Sequence, residues 1–327
     1  MQTPGFLVFG AGVSKETVQR TVGYAKAAET RRFHSCLVTE AASDALALTQ
    51  HVASMTSRIQ VGTAIANIYL HPPLLAALQA LTINAIAPGR LFLGLGTSHG
   101  PLNQAYGIPM DKPLTALRMY VHTLNSVFRG EHEGLAQMAA MGIVVAKPEP
   151  KIPIALAGVS PKSLQLTGEI ADASIPTPYG ASMMKEVIDA VAAGAKKVGR
   201  SPQDVAINPI VHTLVCNDRG VALRSAKQHL SFYASMPFYN RVFVRHGLTS
   251  EAEKVMTAAG KGDMAGAAEA ISERMIEMTA VVGTAQECIK KVEEIEKAGA
   301  TRVILYPIAI DGDYDRGVNA VLDAFAR

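Results

Sequence analysis

The sequence predicts an α/β fold, and more narrowly a (β/α)8 TIM barrel. Short apolar runs alternate with longer segments of helical spacing along the whole chain. Eight strand–helix alternations can be counted, the number that closes a parallel barrel. Of the 327 residues, 49% are hydrophobic and only 18% are charged, which is enough apolar material for one large core.

The eight strands are predicted from short apolar runs bounded by polar or turn-forming residues. They lie at residues 6–9, 36–39, 61–65, 91–95, 153–157, 173–175, 206–216 and 302–306. The helices between them follow from apolar residues at helical spacing and from capping signals. Asp44 is a predicted N-cap, Pro72 and Pro73 suit a helix start, and Ser160-Pro161 and Gly283-Thr284 open two more helices.

Two stretches depart from a simple alternation. Residues 130–150 are predicted to be an irregular connection, whereas residues 217–280 have helical spacing and exceed the length of one crossover. We therefore expect a single domain over 1–327 with a helical insertion at 217–280, after the seventh strand.

An open doubly wound sheet is the alternative fold. The turn Gly10-Ala11-Gly12 supplies half of a dinucleotide-binding fingerprint. Lys15 stands where its third glycine belongs, and Glu40 is the only clear acidic residue after the second strand. The pattern therefore favours the barrel.

Composition limits the compartment and the partners. Cys36, Cys216 and Cys288 are widely spaced and odd in number, which indicates reduced thiols in a cytoplasmic protein and no metal site. The net charge is +3 and the basic residues are scattered, so nucleic-acid binding is not expected. No apolar run reaches the length of a membrane span, and the N-terminus lacks the pattern of a signal peptide.

Three predicted strand ends carry the candidate chemistry, because parallel barrels place their sites at the carboxyl ends of strands. Thr63–Asn67 follows the third strand and is either a backbone bulge or plain buried strand. Gly94–His99 follows the fourth and is either a ligand loop or a glycine-rich turn. Gly158–Ser163 leads from the fifth strand into a helix, whose first amides suit a phosphate, although Ser160 is equally suited to act only as an N-cap.

In order and spacing, these segments resemble the bacterial luciferase-like family of flavin and deazaflavin enzymes. The resemblance covers essentially the whole chain and rests on VTE at 38–40, SRIQVGTAIA at 57–66, PGRLFLGLGTSH at 88–99, IPIALAG at 152–158, GEIAD at 168–172 and VGTAQE at 282–287. The sequence is most similar to the actinobacterial branch that uses the deazaflavin coenzyme F420. That branch implies an F420-dependent oxidoreductase that transfers a hydride to or from a small organic substrate.

The resemblance implies specific site residues. In F420-dependent members the bulge after the third strand contains a non-prolyl cis peptide behind the deazaflavin ring, which would join Ala64 to Ile65 here. The implied coenzyme-binding residues are Ala64, Ile65, Asn67, Thr97, Ser98, Gly158, Val159 and Ser160. Glu40 and His99 are the candidates for proton transfer, since carboxylate and imidazole can be tuned toward neutral pH. Tyr106 and Tyr306 are further candidates to line the pocket.

The sequence also departs from its relatives. Sugar-phosphate dehydrogenases of this family carry a histidine directly after the acidic residue of the second strand, where this chain has Ala41. That difference argues against sugar-phosphate oxidation, because the imidazole base is missing. A related Arg-His-Pro run is replaced here by His71-Pro72-Pro73.

Two other functions stay open. One is an FMN-dependent luciferase-like monooxygenase, since the same loops serve both coenzymes. The other is a non-catalytic ligand-binding barrel. The resemblance also implies a homodimer formed through helices of the second to fourth βα units.

Overall fold

The computed structural model describes residues 1–10 and 12–327, and it confirms the predicted barrel. Its parallel strands are β1 (Gly5–Val8), β2 (Ser35–Val38), β3 (Gln60–Asn67), β4 (Leu91–Gly96), β5 (Ile154–Leu156), β6 (Ala173–Ser174), β7 (Ala206–Ile207), β8 (Ile210–Val215), β9 (Ala280–Gly283) and β10 (Ile304–Pro307). They form one curled sheet in the order β7-β6-β5-β4-β3-β2-β1-β10-β8-β9. The dinucleotide half-fingerprint includes Ala11, which lies outside the described residues.

The helices surround this sheet. They are α1 (Lys15–Thr30), α2 (Ala45–Met55), α3 (Pro73–Ile86), α4 (Gly100–Ala105), α5 (Pro113–Arg129), α6 (Glu133–Ala140), α7 (Pro161–Ile170), α8 (Met184–Lys197), α9 (Arg219–Ala234), α10 (Pro237–Arg245), α11 (Thr249–Gly260), α12 (Met264–Glu269), α13 (Glu273–Thr279), α14 (Ala285–Lys297) and α15 (Tyr314–Ala324). Asp44 caps α2 by accepting a hydrogen bond from the Ala47 N–H, as predicted. In the described part of the chain, no helix is both long and apolar enough to span a bilayer.

The barrel closes through the segment that holds β7 and β8. At its start this segment pairs with β6, and the N–H of Asn208 donates to Ser174 O at 2.8 Å. At its end β8 pairs with β10, with Ile210 opposite Ile304. The predicted seventh strand is therefore one barrel strand interrupted at Asn208 and Pro209, and it joins the two ends of the sheet.

Two predicted features differ in the structure. Residues 130–150 are not wholly irregular, because α6 lies within them; no residue of α6 is buried, so no apolar face marks this helix in the sequence. The predicted helical stretch 217–280 ends in a strand, since β9 begins at Ala280 and pairs with β8. The run Ala280–Gly283 is too short for its periodicity to separate strand from helix.

The barrel interior is filled by inward-facing side chains. Its buried members include Leu7, Leu37, Phe92, Ala155 and Ile210, each from a different strand. Ile65, Ala157 and Tyr233 pack against this layer and are only partly buried. The carboxyl-terminal mouth of the barrel is therefore where the interior reaches solvent.

Candidate active site at the mouth of the barrel

The bulge predicted after the third strand is present in β3. Pairing between β3 and β4 shifts register between Thr63 and Ala66. The peptide bond between Ala64 and Ile65 is cis, which confirms the prediction made for this pair. Ala64 is buried, whereas Ile65 retains part of its surface.

A glycine next to this bulge leaves the mouth of the barrel open. A Cβ placed on Gly96 would lie 3.1 Å from Cγ1 of Ile65 and 3.4 Å from Cβ of Ala157. Gly96 therefore allows Ile65 and Ala157 to meet over bare backbone. The result is an apolar surface at the ends of β3, β4 and β5, of the kind that supports a flat ring.

Glu40 lies behind this surface with its side chain only 3% exposed. Its Oε1 accepts from the Ala45 N–H at 3.2 Å and from His71 Nε2 at 2.7 Å. Its Oε2 accepts from the N–H of Asn67. These bonds occupy both carboxylate oxygens, so the geometry favours Glu40 as a residue that positions the β3 loop over one that transfers protons.

The same network extends to the β4 loop. Asn67 Nδ2 donates to Asn103 Oδ1 at 2.7 Å, and Asn103 Nδ2 donates to the carbonyl of Thr97 at 2.8 Å. Both asparagines are buried. Asn67 therefore joins the two loops, and its amide nitrogen is already used within the protein.

His71 is the cation that balances Glu40. Burial acts to lower the pKa of His71, but the hydrogen bond and charge of Glu40 and the charge of Asp44 raise it overall. Potential ligand atoms of Glu40, Asp44 and His71 lie within 4.8 Å of one another, as in a metal site. The Glu40–His71 hydrogen bond and the capping bond of Asp44 account for this grouping without an ion.

Thr97, Ser98 and His99 form a partly exposed edge beside the apolar surface. Ser98 has a φ of +57°, a conformation that costs free energy for a residue other than glycine and is concentrated at functional sites. His99 precedes α4, and its ring lies 5.5 Å from that of Tyr239. Burial lowers the pKa of His99, which keeps the imidazole neutral at neutral pH.

The predicted anion site at the start of α7 offers fewer free amides than expected. Ser160 caps α7 by accepting from the Ser163 N–H, and Ser163 Oγ accepts from the N–H groups of Val159 and Ser160. This capping box satisfies three amides within the protein. Gly158 is buried, so an anion here would meet the helix dipole and Lys162 more than a ring of free N–H groups.

Replacing Ser160 separates capping from ligand binding. We expect Ser160→Ala to lower the free energy of unfolding by about 1 kcal/mol through loss of the cap. Ser272→Ala is the matched control, because Ser272 caps α13 in the same way, away from the mouth. If Ser160 also contacts the coenzyme, calorimetry will show weaker F420 binding for Ser160→Ala alone; equal F420 affinities for the two variants would leave Ser160 with capping only.

A cation that the sequence did not indicate lies beside this loop. Arg245 comes from α10, and its Nη2 donates to Val159 O at 3.0 Å and to the Tyr179 hydroxyl at 3.1 Å. The same nitrogen is 3.2 Å from Glu186 Oε1. Arg245 thus ties the helices after β8 to the β5 loop, across 86 residues of sequence that no local pattern connects.

A cluster of aromatic side chains, here called the ring cluster, also escaped sequence reasoning, except for His99 and Tyr306. Neighbouring rings in it have centroids 4.5–5.7 Å apart. Its members are His99, His212, His229, Tyr233, Tyr239 and Tyr306. They come from β8, β10, α9, α10 and the loop before α4, so only the folded chain brings them together.

Acid is expected to destabilise the fold through these imidazoles. Burial lowers the pKa of His229 to about 4, whereas in the unfolded chain it titrates near 6.5. Between these values the unfolded chain binds the proton and the folded chain does not, so stability falls as pH falls through this window. His71 has the opposite sign: its raised pKa adds stability at low pH that is lost as pH rises through that pKa.

Urea unfolding at pH 7 and pH 5 measures the effect. His229 alone should lower the free energy of unfolding by about 2 kcal/mol between these two pH values. His229→Gln should show a correspondingly smaller difference. An unchanged pH dependence in this variant would contradict a neutral, buried His229.

The two tyrosines named from the sequence have different surroundings. Tyr106 is 45% exposed and its hydroxyl donates to Ala41 O at 2.6 Å, so it covers the position where relatives carry a histidine. Tyr306 is buried within the ring cluster. Only Tyr306 therefore belongs to the interior of the mouth.

Comparison with known proteins identifies the family. Residues 5–302 match the luciferase-like monooxygenase family, and the chain belongs to it. The chain is 31% identical to the 5,10-methylenetetrahydromethanopterin reductase of Archaeoglobus fulgidus, over 77% of this chain and 78% of that one.

Solved structures agree on the fold. The coenzyme F420-dependent tetrahydromethanopterin reductase of Methanopyrus kandleri superimposes with a TM-score of 0.83 at 24% identity, covering 98% of this chain and 97% of that one. An F420-dependent secondary alcohol dehydrogenase, solved with an F420–acetone adduct, gives 0.74 at 16% identity, covering 99% and 98%. At these identities the likeness concerns the fold.

Proposed function

We propose that this protein is an F420-dependent oxidoreductase whose coenzyme ring lies against Ile65 at the mouth of the barrel. The observation that carries the proposal is the apolar surface of Ile65, Gly96 and Ala157 beside the polar edge of Thr97–His99. A deazaflavin has this division, with a flat ring and polar atoms along its edge. The named activity of the Archaeoglobus relative supports the same coenzyme.

The residues present fit such a group. Ile65 and the bare backbone at Gly96 would support the ring, and Thr97, Ser98 and His99 would contact its edge. The first turn of α7, with Lys162 and Arg245 nearby, would face the negatively charged side chain of the coenzyme. Bound F420 supplies hydride transfer at C5 of its ring.

The protein's own part is to bind, orient and exclude water. Glu40 and Asn67 hold the β3 and β4 loops in register, and His99 offers a neutral imidazole near the substrate side. A neutral imidazole can either donate or accept a proton. We propose His99 for the proton that accompanies the hydride and Glu40 for positioning.

Calorimetric titration with F420 and with FMN tests the proposal. We expect F420 to bind and reduced F420 to be oxidised by at least one small organic acceptor. Tight FMN binding without a response to F420 would instead favour the flavin-dependent monooxygenase. Binding of neither would favour a non-catalytic barrel.

Compartment and assembly remain predictions. The three cysteines are free thiols, which supports a reducing compartment such as the cytoplasm. Leu75 and Ile86 on α3 are 49% and 41% exposed, which supports the expected homodimer through this region. Sedimentation velocity measures the assembly, and a monomer at micromolar concentration would contradict it.

A further inference from the structure

The ring cluster crosses the mouth of the barrel. His99 follows β4 and Tyr306 lies on β10, and β3, β2 and β1 separate these strands in the sheet. In a closed barrel of eight strands this places them on opposite sides. The rings of Tyr239 and Tyr233 bridge the gap, with Tyr233 partly exposed against the interior layer that includes Ile65 and Ala157.

The cluster holds a polar atom with no partner. His212 is 1% exposed, and its Nδ1 lies 2.8 Å from Nε2 of His229. Its other nitrogen, Nε2, is buried without a hydrogen bond among the described residues. Buried polar atoms are nearly always satisfied, so this nitrogen calls for a partner that the protein chain does not supply.

The cluster is also electrically neutral. None of its hydrogen bonds or ring contacts within the described chain involves Asp, Glu, Lys or Arg. Burial lowers the pKa of His99, His212 and His229, so all three imidazoles are uncharged at neutral pH. An anionic group placed here would be desolvated without a counter-charge, whereas a flat ring would pack well against aromatic side chains.

We propose that the ring cluster binds the reacting end of the substrate, and that this end is an uncharged conjugated ring carrying a hydrogen-bonding atom for His212 Nε2. The inference rests on the proposed function, since it names the substrate class for that same site. It excludes substrates whose reacting end is a carboxylate or a phosphate.

Calorimetry with two matched probes tests the inference. 2-Naphthol and 2-naphthoate share one ring system and differ in charge at neutral pH. We expect 2-naphthol to bind the F420-loaded protein about tenfold more tightly than 2-naphthoate, which corresponds to about 1.4 kcal/mol. Equal or tighter binding of 2-naphthoate, or binding of neither probe, would overturn the inference.

His212→Phe tests the polar contact while keeping a ring of similar size. We expect about fivefold weaker 2-naphthol binding, as for the loss of one hydrogen bond, with F420 affinity unchanged. Tyr24→Phe, a buried change next to Asp315 and away from the cluster, should leave both affinities unchanged. Unaltered 2-naphthol binding by His212→Phe would overturn the role of Nε2.

Two features keep these outcomes separable. The comparison of the two probes needs no variant, so it holds even if His212→Phe does not fold. F420 is titrated on the same sample, so failure of the proposed function appears as loss of F420 binding in the wild-type protein. Failure of the present inference appears as F420 binding without the expected preference for the neutral probe.

Discussion

Replacing Glu40 by alanine is expected to lower the free energy of unfolding by about 3 kcal/mol, because it removes the acceptor for two backbone N–H groups and for His71. The loss is large because the carboxylate is only 3% exposed, and water cannot readily replace it. F420 affinity should fall as well, by about tenfold, since Glu40 holds the N–H of Asn67 beside Ile65. Urea unfolding and calorimetry measure the two effects.

A matched carboxylate sets the scale for this result. Glu131 pairs with Arg129 on the surface, and both side chains are more than half exposed. Glu131→Ala should change stability by less than about 0.5 kcal/mol and leave F420 binding unaltered. If Glu40→Ala were as mild as Glu131→Ala, the network behind the β3 loop would not have the structural importance assigned to it.

Replacing Gly96 by valine should have the largest effect on coenzyme binding. Its Cβ would lie 3.1 Å from Ile65 Cγ1, and the two valine methyl groups would extend further into the mouth. We expect F420 affinity to fall by about 30-fold or more, with about 1–3 kcal/mol of stability lost to overpacking. Gly96→Ala should give a smaller loss in the same direction.

Gly23→Ala is the control for a change from glycine. Gly23 lies on α1 with nothing within 4 Å of an added Cβ, so this variant should be neutral or more stable and should bind F420 normally. F420 binding by Gly96→Val at the wild-type level would place the coenzyme elsewhere than over Ile65.

Much of the fold could be predicted because its signals are local. Apolar runs marked the barrel strands, and Asp44 and Ser160 marked helix starts that the structure confirms. The cis bond between Ala64 and Ile65 was predicted from resemblance alone, because two small or apolar residues in a strand carry no signal for it. The strand β9 was missed because four residues after a helix are too short to show a period.

The site was predictable only in part, since its contacts join distant segments. Glu40 and His99 were singled out, but their partners His71 and Tyr239 lie 31 and 140 positions further along the chain. The bonds of Glu40 changed its interpretation from proton transfer to positioning. Side chains of the ring cluster also look like ordinary helix and strand residues until the barrel closes.

Tyr106 gives a structural counterpart to the missing histidine at position 41. Its hydroxyl bonds to the Ala41 carbonyl, so an exposed aromatic side chain covers the place where related sugar-phosphate dehydrogenases carry an imidazole. Together with the neutral ring cluster, this arrangement supports a substrate other than a sugar phosphate. The chemistry of the pocket is that of uncharged rings.

The location of the coenzyme ring is the central claim, and a crystal structure of the F420 complex tests it most directly. We expect the deazaflavin ring to lie against Ile65 and the backbone of Gly96, with its edge toward Thr97–His99 and its charged side chain toward the first turn of α7. A ring bound outside the mouth of the barrel, or one separated from Ile65 by another side chain, would contradict it.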